Sequence, residues 1–160
     1  MPMAKLKLSL ESISCTSVET YIQSGNVVCN SKVKNAKTLH KKMLDGIEKD
    51  FGFRPKLMLL SEQQLRDAIS DNPFQSATSA PKTLHFFFLD ALPSKEALSS
   101  VGEIAAVSER FKLVERVFYL HAPDGFGKSK LASSVERRLE VAATARNYAT
   151  VEKLASMIRN

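Results

Sequence analysis

The residue types best suited to chemistry stand together in Asp124-Gly125-Phe126-Gly127-Lys128-Ser129-Lys130. Glycines, lysines and a hydroxyl between a predicted strand and a predicted helix are the ingredients of a phosphate cradle, where backbone N–H groups and a helix N-terminus face the anion. Gly127-Lys128-Ser129 matches the end of the nucleotide-binding pattern G-x-x-x-x-G-K-S, but that pattern needs glycine at position 122, where Ala122 stands. Ala122-Pro123 occupies the place where the cradle should begin, so nucleotide hydrolysis is disfavoured. A simpler anion site stays open, as does a plain strand-to-helix turn whose lysines sit in water.

Other constellations are weaker. His121, Asp124 and Ser129 lie close in sequence but lack the strained elbow G-x-S-x-G, and geometry rather than spacing defines a nucleophilic triad. His85, inside Leu84-His85-Phe86-Phe87-Phe88-Leu89, reads as a neutral core histidine, and His40 as an exposed helical one. Three consecutive phenylalanines suit a buried strand, because a base-stacking platform needs alternating, exposed aromatics beside basic residues. Lys34, Lys37 and Lys41 share a helix face and read first as solvated charge. Tyr21, Gln23, Ser24 and Asn26 form a polar cluster at a predicted hairpin tip. No carboxylate pair or His/Cys/Asp group has metal-site spacing, and no cofactor is expected.

These residues sit in a chain of 160 residues and 17.7 kDa with 44% apolar and 25% charged residues, which excludes disordered, collagenous and disulfide-framework proteins. The formal charge of +6 admits polyanions and phosphorylated ligands as partners. It is divided: residues 1–60 carry +5, 61–100 carry −2 and 101–160 carry +3, unlike a continuous nucleic-acid stripe. Cys15 and Cys29 have neither zinc-ribbon nor Cys-x-x-Cys spacing and read as reduced thiols. The start is too polar for a signal peptide and no run suffices to span a bilayer, so a cytoplasmic setting without a membrane partner is expected.

Periodicity predicts the elements that position these groups. Leu6, Leu10 and Ile13 mark a short amphipathic helix over 3–13, followed by a hairpin whose arms include Thr20 to Ile22 and Val27 to Cys29. Ala36, Leu39, Met43, Ile47 and Phe51 mark a helix closed by Gly52. Lys56 to Leu60 reads as a short buried strand, and Ser61 with Gln64 as a capping box opening the next helix. Gln75 to Lys82, rich in Ser, Thr, Ala and Pro, is the best linker candidate. A central strand over 83–89, a helix from Ser94 to about Ile104, strands at 111–114 and 117–121, a helix marked by Leu131, Val135 and Leu139, an extended 142–145 and a last helix follow.

The order α-β-β-α-β and then β-α-β-β-α-β predicts an α+β fold of tandem ferredoxin-like units, the first lacking its opening strand. Residues 1–72 form the incomplete unit with its connecting helix and 73–160 the second, in one compact domain overall. In this topology the opening strand lies inside the sheet. Its loss leaves Lys56 to Leu60 unpaired, at about 1–3 kcal/mol for each unsatisfied buried group, and favours a homo-oligomer through the open sheet.

Several motifs in order carry a family resemblance: Tyr21-Ile22-Gln23-Ser24-Gly25-Asn26-Val27-Val28, Pro81-Lys82 running into Leu84-His85, Tyr119-Leu120 with Pro123 to Leu131, and Thr144-Ala145-Arg146-Asn147 with Thr150-Val151. The chain closely resembles the bacterial domain-of-unknown-function (DUF) family 1697 over nearly its whole length. Members of that family usually begin with a strand and a glycine-rich segment similar to LLRGINVGG, which this sequence lacks, and commonly carry Trp where Tyr148 stands. The resemblance implies an α+β fold and assigns no activity.

Two functional readings from different classes follow. The first is a binding module for a phosphate-bearing ligand or nucleic acid, with Gly125 and Gly127 shaping the loop. Lys128, Ser129, Lys130 and Arg146 would contact the anion, and Ser24 and Asn26 would add polar contacts. The alternative is a metal-independent enzyme on a small substrate, in which Tyr21, Gln23, Asn26, Arg146 and Asn147 converge. A non-catalytic oligomeric protein is the third option.

Overall fold

The computed structural model describes residues 1–23 and 25–158, so Ser24 lies outside the described residues. The described residues divide into two compact units, one within 1–59 with 156–158, and one over 60–155. In the first unit helix α1 (Met3–Glu11) precedes strands β1 (Cys15–Tyr21) and β2 (Asn26–Ser31) and helix α2 (Ala36–Phe51). Asn35 caps α2, its Oδ1 accepting from Thr38 N at 3.0 Å, and Gly52 ends it in the left-handed region at φ 82°. Leu39, Met43 and Ile47 line one face of α2 and bury with Met3, Leu6, Leu10 and Val18.

The segment after α2 corrects one expectation. Lys56 to Leu60 forms no strand. Among the described residues β2 pairs with β1 alone, and an extended segment without a neighbouring edge has no ladder to join. Leu57 and Leu59 instead pack sideways against the core, and His40 Nε2 lies 2.9 Å from the Leu57 carbonyl. His40 is therefore half-buried and hydrogen-bonded rather than an exposed helical residue.

In the second unit α3 (Glu62–Ser70) opens with both hydrogen bonds of the capping box, Gln64 N to Ser61 Oγ and Ser61 N to Gln64 Oε1. Then come β3 (Leu84–Leu89), α4 (Lys95–Val101), β4 (Arg110–Val114), β5 (Val117–His121), α5 (Val135–Leu139), β6 (Ala143–Asn147) and α6 (Tyr148–Ile158), whose last residues from Ser156 count with the first unit. The sheet order is β4-β5-β3-β6, every pair antiparallel. All six residues of β3 are buried, as a strand with neighbours on both edges and cover on both faces should be. Two antiparallel sheets with helices set apart from them make the protein α+β.

Two further expectations change. Gln75 to Lys82 is no loose linker: Gln75–Ser79 and Pro81–Thr83 wind into 3-10 turns inside the second unit. The hydroxyls of Thr78, Ser79 and Thr83 each donate to the carbonyl three residues back, turning a flexible composition into local order. The helix marked by Leu131, Val135 and Leu139 shrinks to Val135–Leu139, preceded by 3-10 turns at Phe126–Lys128 and Ala132–Ser134. Ser133 Oγ and Ser134 Oγ both donate to the Lys130 carbonyl, while Ser134 N turns to Leu131 O, so the α-helical bond to residue 130 is displaced.

Candidate anion site

The loop after β5 borders a cleft of about 330 Å³. Asp124, Gly125, Lys128, Ser129 and Lys130 form one side, and Glu109 with Ile104 belongs to the other. Gly125 stands at φ 111° and ψ 139°, a conformation open to glycine and strained for any residue with a Cβ. That angle turns the chain after Pro123-Asp124 and directs Phe126–Lys128 into its 3-10 turn. Gly127 lies within the turn with open space around it.

The two carboxylates of the cleft are already engaged. Glu109 is buried and its Oε1 accepts from Ala106 N at 2.8 Å, while Asp124 Oδ2 accepts from Ser108 Oγ at 2.6 Å. Lys128 and Lys130 are exposed, and neither joins an ion pair among the described residues. The cleft thus holds two exposed lysines beside two carboxylates, Glu109 hydrogen-bonded within its own loop and Asp124 across to Ser108 in the loop before β4. An anion entering it would be met by ammonium groups and by whatever backbone N–H groups the loop leaves turned outward.

The expected helix behind this loop is missing. Phe126–Lys128 is a single 3-10 turn, and α5 begins only at Val135, so the loop does not run directly into an α-helix N-terminus. Ser129 is also spoken for: it is buried and its Oγ accepts from Ala132 N at 3.0 Å, which makes it a turn cap. The His121, Asp124 and Ser129 set does not assemble through hydrogen bonds, since Asp124 serves Ser108, Ser129 serves Ala132 and the His121 ring lies 6.4 Å from Phe74.

The remaining candidates fall into separate units. Tyr21, Gln23 and Asn26 belong to the first, Arg146 and Asn147 to the second. Asn26 is buried and donates through Nδ2 to the Tyr21 carbonyl at 3.2 Å, pinning the hairpin across its turn. Tyr21 is half-buried and Gln23 exposed. Asn147 Oδ1 accepts from Thr150 N at 3.0 Å and so caps α6. Arg146 is half-buried, its guanidinium donates to the Ala145 carbonyl at 2.8 Å, and burial lowers its pKa.

A model of the protein of unknown function (DUF1697) family matches residues 1–119. The chain belongs to that family. Among solved structures, the conserved bacterial protein SP0830 from Streptococcus pneumoniae is similar over 100% of this chain and 90% of its own, at 20% identity and a TM-score of 0.78. At that identity the likeness speaks for the fold. No curated protein matches the chain. Among the described residues no helix is long and apolar enough to cross a membrane, and none of them form a metal-ligating group of three or more His, Cys, Asp or Glu.

One contact in this DUF1697 chain was invisible to sequence reasoning. His85 lies in β3 directly opposite Asn147 of β6, and its imidazole stacks on Phe126 of the loop with ring centroids 3.8 Å apart. It is 8% exposed, its Nδ1 is buried without a hydrogen-bond partner, and burial pushes its pKa down to about 4. The neutral core histidine expected from the strand is thus also the platform on which the loop rests. Only the alternation of His85, Phe87 and Leu89 along β3 hinted at the face involved.

Proposed function

We propose that this DUF1697 protein is a binding module for a phosphate-bearing ligand or nucleic acid, held at the loop Asp124 to Lys130. The observation that supports it most is that two exposed lysines, without an ion pair among the described residues, flank a glycine-shaped turn beside a cleft whose two carboxylates each accept a hydrogen bond from a neighbouring N–H or hydroxyl. Lys128 and Lys130 supply the charge, Gly125 sets the turn and Ser129 holds its shape. Such contacts are electrostatic and weaken with salt. The test is a titration of the full chain with an oligonucleotide and with nucleotides at low and high salt. Binding at low salt that falls with added salt and is lost in Lys128→Ala/Lys130→Ala supports the module; absent binding, or binding that ignores both lysines, overturns it.

The same proposal extends to architecture and setting. The strand order β4-β5-β3-β6 around a β-α-β-β-α-β sequence supports a ferredoxin-like second unit. The first would be its counterpart, with α1, the β1–β2 hairpin and α2 in the same order, β2 pairing with β1 alone among the described residues. We place the module in the cytoplasm, where Cys15 and Cys29 stay reduced.

A further inference from the structure

The two cysteines take no part in the anion site, yet the hairpin brings them together. Cys15 pairs with Ser31, which puts Cys29, two residues away along β2, diagonally across on the same face. Between Thr16 and Glu19 the register shifts by an extra residue on β1, with Ser17 at φ 50°. A bulge of this kind bends the strand and increases its twist. Both side chains contribute to the same core cluster, Cys15 at 2% exposure and Cys29 half-buried at its margin, and Cys29 lies near enough to help raise the pKa of Cys15.

We propose that Cys15 and Cys29 are a reversible oxidation site, a dithiol that closes to a disulfide when it meets a low-molecular-weight disulfide. Cys29, the more accessible, loses its proton to water, and its thiolate attacks one sulfur of the small disulfide, expelling a small thiolate. The mixed disulfide on Cys29 is then attacked by Cys15 Sγ as it gives up its own proton. The Cys15–Cys29 bond forms and the second small thiolate leaves. Two electrons pass from the protein to the small disulfide, which ends as two thiols. The new bond staples β1 to β2 beside the bulge and stiffens the hairpin that carries Tyr21 and Asn26 at its tip.

Burial raises the pKa of both thiols, that of Cys15 to about 12, so the exchange is slow at neutral pH and needs an oxidising excess.

The test is incubation of the full native chain with glutathione disulfide, followed by intact-mass measurement and peptide mapping without reductant. The expected product is lighter by two hydrogens, joins the peptides containing Cys15 and Cys29, and reverts with dithiothreitol. Cys15→Ala should stop at a glutathione adduct on Cys29, and Cys29→Ala should give no intrachain bond. Should either variant fail to fold, the peptide map of the unaltered chain decides alone. A persistent glutathione adduct on the unaltered chain, a disulfide joining two chains, or no reaction at all would each overturn the proposal.

Discussion

Gly125 and Gly127 offer a controlled perturbation of the anion loop. A Cβ built on either glycine meets no atom within 4 Å, so steric clash plays no part in replacing them with alanine. They differ in backbone: Gly125 stands at φ 111°, while Gly127 lies inside a right-handed 3-10 turn. Alanine reduces the freedom of the unfolded chain at both sites by about 0.4–1 kcal/mol, and this gain cancels when the two variants are compared. The remaining difference is the strain of holding alanine at the Gly125 angles, about 1–3 kcal/mol. Gly125→Ala should therefore unfold at lower urea than Gly127→Ala by that margin, with unchanged slope, followed by far-UV circular dichroism. Gly127→Ala should be neutral or slightly stabilised. If the loop relaxes to relieve the strain, Gly125→Ala should lose low-salt oligonucleotide binding that Gly127→Ala keeps. Equal midpoints together with equal binding would refute both the strain and the role assigned to the turn.

Two further outcomes test the frame of the second unit. Tyr119 is fully buried and its hydroxyl donates to the Ala68 carbonyl at 2.5 Å, a group left over near the end of α3 because Asn72 N turns to Ile69 O. Tyr119→Phe should lower stability by about 1–3 kcal/mol in urea unfolding, since the carbonyl would lose its partner in a dry site. Burial and the nearby Asp71 raise the phenol pKa, so above about pH 10 the unfolded chain ionises first and stability falls; Tyr119→Phe should flatten that alkaline limb. For His85 the sign is opposite. Its pKa is depressed to about 4 from an ordinary 6.5, so its contribution is complete above about pH 6.5 and is lost as pH falls toward 4, because the unfolded chain binds the proton first. Thermal unfolding across that range should show a slope that His85→Phe removes; an identical slope in the variant would place the titration elsewhere.

Local signals carried much of the architecture. The Ser61 and Gln64 capping box, the Gly52 stop and the fully buried β3, apolar apart from His85, were all legible, because each is decided by neighbours in sequence or by simple burial. The helix after the anion loop was not. Leu131, Val135 and Leu139 are spaced for one, but hydroxyls at Ser133 and Ser134 take the Lys130 carbonyl that the helix needs. The site shows the same division. The glycine and lysine composition of the loop was visible, whereas the conversion of Ser129 and Asn147 from ligand candidates into caps depended on which backbone N–H each oxygen reached.

The amino-acid sequence by itself determined the mixture of helices and strands, the basic character of the loop and the buried nature of the phenylalanine strand, since these follow from composition and period. Tertiary structure alone decided that Lys56 to Leu60 is no strand, that His85 supports Phe126, and that Cys15 meets Cys29 across a bulge. Each depends on which segment lies alongside another, and a ladder, a ring stack or a thiol pair exists only when two distant stretches of chain arrive at the same place.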